Sequence, residues 1–151
     1  MKKITPFLWF DTQAEEALNF YVSIFKNSKV LSVAPGPNGT ASSVSFELEG
    51  QEFMAFNAGP HFKFNEAISM FVNCQTQDEV DELWTKLTAE GGEESQCGWL
   101  KDKYGLSWQV IPSALGELLG DKDPVKAKRV MDAMLQMSKI DIKALQLAYE
   151  G

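Results

Sequence analysis

Apolar residues enter this chain in two alternating patterns: short extended runs, and stripes that recur every three or four positions. The run over residues 4–10 predicts a first strand. Ala14, Ala17, Leu18, Tyr21, Val22 and Phe25 then fall on one face of a predicted helix, and Thr12 with Glu15 has the spacing of a capping box at its start. Three short strands are predicted next, at residues 29–34, 41–48 and 51–57. The turn-rich PGPNG of residues 35–39 separates the first two, and Glu49-Gly50 reverses the chain between the second and third.

The same order then returns. Residues 67–73 read as a strand. Thr76 and Glu79 form a second capping box, and Val80, Leu83, Trp84 and Leu87 make a second helical stripe that Gly91-Gly92 ends. Strands are predicted around residues 94–100 and 106–111. Strand, helix and several strands, twice over, is the pattern of a duplicated βαβββ module. The remainder is helical. Pro124 suits a first turn, Ala127, Val130, Met131, Met134 and Leu135 form a stripe, and Ile142, Leu145 and Ala148 continue it after a break near residues 138–141.

Composition narrows the class. The 151 residues are 44% hydrophobic and 23% charged, which suits one globular domain over residues 1–151. Module one is read as residues 1–58, module two as 66–112 and a helical tail as 113–151. A net charge of −7 argues against nucleic acid and against an anionic membrane as partners. No apolar run approaches the roughly 20 residues that a bilayer requires. The start, MKKITPFLWFDTQ, has too short an apolar stretch for a secretory signal. Two cysteines, Cys74 and Cys97, make no disulfide framework, so reduced thiols in the cytoplasm are expected.

Together with the duplication, "LWFD" after the start strand, "NAGPHFKFNEA", and above all "GGEESQCGWLKDKYGLSWQVIP" resemble the PhnB-like branch of the vicinal oxygen chelate superfamily, the glyoxalases, bleomycin-resistance proteins and extradiol dioxygenases. The resemblance covers nearly the whole chain, and residues 91–112 are its specific part. It implies an α+β fold in which duplicated βαβββ modules form curled mixed sheets, plus C-terminal helices. The concave sides would face each other, or a partner's module, and enclose a cavity. The branch also carries a demethylubiquinone methyltransferase-like label. No glycine-rich strand-to-helix turn of the kind that holds a nucleotide-like methyl donor is present in the sequence.

In metal-using members of the superfamily, four ligands point into the cavity, one each from the first and last long strands of each module. Alternation places Thr5, Phe7 and Trp9 on the cavity face of the first strand, with Leu8 and Phe10 towards the helix. Phe53, Ala55 and Asn57 share a face, as do Ala67, Ser69 and Phe71, and Ser107, Gln109 and Ile111. The matching positions therefore hold threonine, asparagine or an apolar residue, alanine, and Gln109 where a carboxylate would stand. Divalent transition ions favour imidazole, thiolate or carboxylate. His61 is the one histidine, and it sits in the inter-module loop. No metal and no other cofactor is expected.

The remaining candidates each have two readings. Gln109 either orients a polar ligand or is a buried glutamine bonded to backbone or water. Trp9 is a pocket residue, Trp108 belongs to the helix-facing core, and Trp99 fits either role. Cys97 is a nucleophile or a small hydrophobe before Gly98, the latter favoured. Asp102 and Gly105 read as hairpin-turn residues before a catalytic carboxylate. The linker around His61, Phe62 and Phe64 reads as a strand-like flap that could close over a ligand, or as packing only. The expected ligand-binding set is thus Thr5, Phe7, Trp9, Asn57, His61, Phe64, Trp99 and Gln109. The expected function is binding of an unknown small molecule in an aromatic-lined cavity, by a homodimer. The alternative is an enzyme of the superfamily, of isomerase, lyase or dioxygenase type, metal-independent or with an atypical metal site.

Overall fold

A computed structural model describes residues 2–151. The chain divides into two compact units, one running up to Lys63 and one from Phe64 to Gly151. In the first unit, β1 (Phe7–Phe10) leads into α1 (Ala14–Ile24), followed by β2 (Ser28–Pro35), β3 (Ala41–Leu48) and β4 (Gln51–Asn57). The sheet order is β1-β4-β3-β2, with β1 parallel to β4 and the other pairs antiparallel. The helix covers one sheet face. Leu8, Phe10, Val44, Phe46, Phe53 and Ala55 are buried on that side, as are Ala14, Ala17, Leu18 and Tyr21 of α1. Tyr21 stacks on Phe46 at 6.2 Å and Phe46 on Phe53 at 5.3 Å. Burial of each such side chain stabilises the unit by about 1.5–3 kcal/mol.

The second unit repeats the order. It runs β5 (Ser69–Cys74), α2 (Gln77–Leu87), β6 (Glu93–Glu94), β7 (Trp99–Lys101) and β8 (Ser107–Pro112). Its sheet order, β5-β8-β7-β6, is that of the first sheet, again with one parallel pair, β5 with β8. Val80, Leu83, Trp84 and Leu87 of α2 are buried, as are Leu100, Trp108 and Val110 of the sheet. The fold is therefore α+β, built from a duplicated βαβββ pattern of mixed sheets. Three helices follow: α3 (Ser113–Leu119), α4 (Pro124–Met134) and α5 (Ile142–Glu150). They share a core of Ile111, Leu115, Val130, Ile140 and Leu145.

Several local expectations are corrected. The first strand begins at Phe7, so Thr5 lies outside the sheet, its Oγ1 donating to the Lys2 carbonyl at 3.4 Å. Thr12 does not cap α1: the N-cap residue is Gln13, without a side-chain cap. The cap comes from Asn57 instead, whose Oδ1 accepts from the Ala14 N–H at 2.9 Å. The second box forms, with Thr76 Oγ1 accepting from the Glu79 N–H at 3.2 Å. Its return bond falls one residue early, from the Gln75 N–H to Glu79 Oε2 at 2.9 Å. The strand expected over residues 94–100 is broken, because Cys97 (φ 59°) and Gly98 (φ 84°) both take left-handed backbone. The linker forms no strand. Gly59, at φ 87°, turns the chain ahead of Pro60.

Candidate functional site

In each unit the sheet face away from the helix carries the residues of interest. In the first sheet, register sets two rows across the strands. Ser32, Ser45, Met54 and Phe7 form one; Ala34, Ser43, Phe56 and Trp9 form the other. Phe56 meets both Phe7 (4.9 Å) and Trp9 (5.0 Å) edge-on. A hook of chain after β4 completes the cluster. Ala58 N–H donates to the Phe10 carbonyl (2.9 Å), and the Trp9 indole N–H donates to the Gly59 carbonyl (2.9 Å). The hook brings Phe62 edge-on to Trp9 at 4.8 Å, and His61 to it at 6.5 Å. Phe7 and Phe62 remain 52% and 67% exposed, so this aromatic cluster presents open surface. Ser32 and Ser45 hydroxyls bond each other at 2.6 Å beside it.

Asn57 is not part of this face. It pairs with Phe10, on the side that α1 covers. Both its amide atoms bond backbone, Oδ1 accepting from Ala14 and Nδ2 donating to the Ala41 carbonyl at 2.9 Å. The side chains of β4 on the aromatic side are Glu52, Met54 and Phe56. The sequence hid them because β4 is apolar on both faces, so alternation alone does not say which face meets α1.

In the second sheet, Phe71, Gln109 and Trp99 form one row and Ser69, Ser107 and Lys101 the next. Gln109 Nε2 donates to Ser69 Oγ at 2.9 Å. Ser107 is buried, and its hydroxyl has no hydrogen-bond partner among the described residues. Lys101 forms an ion pair with Glu66, and that hydrogen bond holds the Glu66 carboxyl below the usual range and raises the Lys101 ammonium. Phe64 is half-buried in the segment before β5.

The hairpin residues have structural roles. The buried Asp102 accepts at Oδ1 from the Tyr104 and Leu106 N–H groups (2.9 and 3.1 Å) and at Oδ2 from the Trp108 indole (2.9 Å). Gly105 takes φ 86°. Trp108 is buried on the helix-facing side, as expected. Cys97 donates its N–H to the Met137 carbonyl (2.8 Å), which ties the loop to the tail.

Side chains facing away from the helices on β1, β4, β5 and β8 are aromatic, thioether, aliphatic, hydroxyl and amide groups, with Glu52 of β4 as the single carboxylate. Such a set does not fit a divalent transition ion, which favours imidazole, thiolate or carboxylate. Among the described residues no three His, Cys, Asp or Glu side chains are grouped to hold one.

The model of the family described as 3-demethylubiquinone-9 3-methyltransferase matches residues 2–111. No curated protein matches the chain. Among solved structures, a putative 3-demethylubiquinone-9 3-methyltransferase, PhnB protein, from Bacillus cereus is 37% identical with a TM-score of 0.70. The match covers 74% of this chain and 100% of that one. A Pseudomonas aeruginosa protein shares the fold at 19% identity and TM-score 0.63, over 74% of this chain and 98% of that one. The fosfomycin resistance protein FosX from Listeria monocytogenes, solved with Mn(II) and sulfate, shares it at 18% and 0.54, over 72% and 90%. The helices α3–α5 lie beyond the residues that the family model matches.

Proposed function

We infer the function from the family: the chain belongs to the family described as 3-demethylubiquinone-9 3-methyltransferase, the PhnB-like branch of the vicinal oxygen chelate superfamily. On that premise the protein is a binder of a small, largely apolar molecule. The observation behind this reading is the exposed aromatic cluster of Phe7, Trp9, Phe56 and Phe62, with serine hydroxyls beside it. Aromatic surface with a few fixed polar groups is the usual lining of a ligand site.

Binding is favoured over methyl transfer by the two strand-to-helix turns. Residues 11–13 before α1 and residues 75–76 before α2 contain no glycine, whereas a nucleotide-like methyl donor is commonly held where backbone amides approach it closely at such a turn. Two further parts of the reading are a cytoplasmic location, supported by two free thiols, and a homodimer, supported by the exposed Val30, Leu31 and Val33 on the edge strand β2. No helix of the described residues is long and apolar enough to cross a membrane.

The test is extraction. Purified protein is denatured and the released small molecules are identified by mass spectrometry, in parallel with a Trp9→Ala, Phe62→Ala variant. A compound recovered near stoichiometry from the parent and depleted from the variant supports the reading. Equal recovery from both, or none from either with no quenching of tryptophan fluorescence by aromatic probes, overturns it. Sedimentation at micromolar concentration tests the dimer.

A further inference from the structure

The second sheet carries a row of three side chains on its face opposite α2. Phe71, Gln109 and Trp99 lie side by side on β5, β8 and β7. Neighbouring strands are about 4.8 Å apart, so the two aromatic residues stand about 10 Å apart with the amide between them. That separation accommodates one inserted ring, since aromatic contacts run at about 4.5–7 Å between centroids.

Along β8 the row lies between two occupied positions. Glu66, which precedes β5, reaches Lys101 on β7, so its ion pair crosses β8 at Ser107. At the other end Ile111 is buried against Ile140 and Leu145. Four residue steps along β8 lie between these limits, about 13 Å. The row therefore fits a one- or two-ring molecule.

Its polar groups are half used. Gln109 Nε2 donates to Ser69, which fixes the amide, while Oε1 accepts no hydrogen bond among the described residues. Two positions along the same face, the Ser107 hydroxyl is buried without a partner. A buried unpaired hydroxyl is an unmet hydrogen bond, which a ligand carbonyl would satisfy. The charges at the rim, Lys101 with Glu66 and its neighbour Glu93, lie outside the row, and the ion pair of Lys101 with Glu66 leaves Glu93 as the one net negative charge there. An ionic ligand would lose hydration in the row with no counter-charge to meet it.

We propose that Phe71, Gln109 and Trp99 form a slot for an uncharged planar lactam- or amide-type heterocycle. The ring N–H donates to Gln109 Oε1, its carbonyl accepts from Ser107, and the two aromatic side chains flank its faces. This deepens the binding reading above and rests on it.

The experiment titrates the full chain, labelled at glutamine and tryptophan side chains, with 2-quinolone. Quinoline, which lacks the N–H, and quinoline-2-carboxylate, which is charged, are the controls. The slot requires saturable shifts of the Gln109 amide and Trp99 indole signals, and affinity at least tenfold above both controls. Gln109→Leu should lower affinity tenfold or more. Phe71→Ala, at a position 61% exposed, should do likewise while remaining folded. Three results overturn the slot: equal affinity for all three probes, no saturable shift for 2-quinolone, isoquinolone or nicotinamide up to about 5 mM, where a Kd of about 1 mM shows clearly, or conversion of a dimer to a monomer by Phe71→Ala. If a compound still co-purifies in a Trp9-dependent manner, the slot alone has failed. If nothing co-purifies and neither face responds, the binding reading has failed with it.

Discussion

Asn57 caps a helix that begins 43 positions before it in the chain: its Oδ1 accepts from the Ala14 N–H at 2.9 Å. Its Nδ2 donates to the Ala41 carbonyl at the same distance. One amide thus joins β4 to the start of α1 and to the start of β3. Replacing it leaves two half-buried backbone groups unpaired. Asn57→Ala is expected to destabilise the protein by about 1–3 kcal/mol in denaturant unfolding, whereas Thr12→Ala, which removes no cap, should stay within about 0.5 kcal/mol. A Thr12→Ala loss as large as that of Asn57→Ala would contradict the capping assignment.

Gly98 sits where a side chain has no room. At φ 84° an added Cβ would lie 2.6 Å from Ile111 Cδ1 and 3.1 Å from Ile140 Cγ1. Gly105 has similar backbone, φ 86°, but open space around it. Gly98→Ala should cost about 2–4 kcal/mol, from overpacking added to backbone strain, and Gly105→Ala about 1 kcal/mol, from strain alone. Thermal unfolding of the two variants compares them directly. Equal losses would mean that the Ile111–Ile140 contact yields freely.

The Cys74 thiol is buried, and that burial, with a smaller effect of Glu79, pushes its pKa up to about 12. At pH 8 roughly one such thiol in ten thousand is ionised, so Cys74 should resist a thiol reagent in the native protein and react only on unfolding. Linkage gives a second consequence. A raised folded-state pKa contributes stability that is intact below the unfolded value near 9 and is lost as pH rises towards 12. Cys74→Ala should therefore show a smaller stability loss between pH 9 and 11 than the parent. An identical alkaline slope would refute this.

Gln77 holds the tail. Its Nε2 donates to the Ile140 carbonyl at 3.0 Å, and its Oε1 accepts from the Ile142 N–H at 2.8 Å. Lys139 adds an ion pair to Asp81 at 2.8 Å, on a surface where such pairs contribute little. Gln77→Ala should raise hydrogen exchange across residues 137–145 at least tenfold, while Lys139→Ala changes it little. Unaltered exchange in Gln77→Ala would show that the shared core alone docks the helices.

The candidate site was legible in unequal parts. The sheet faces of Trp9 and Gln109 are legible because each lies next to residues that a helix must cover, Leu8 and Phe10 in one strand and Trp108 and Val110 in the other. The face of Asn57 is not legible in the sequence, because β4 has apolar side chains on both faces. Its register against β1, Leu8 opposite Ala55, decides which side α1 covers. Phe62 became part of the aromatic cluster through the Trp9–Gly59 hydrogen bond, a contact across 50 residues that no local pattern announces.

By itself the sequence determined the two βαβββ modules, the helical stripes and a single histidine, because periodicity and residue chemistry are local properties. The tertiary structure decided which residues share a row across strands, which amide is already committed to backbone, and which hydroxyl is left buried without a partner. Those outcomes depend on strand register and on crossings between distant segments, and neither is encoded by the spacing of residues along the chain.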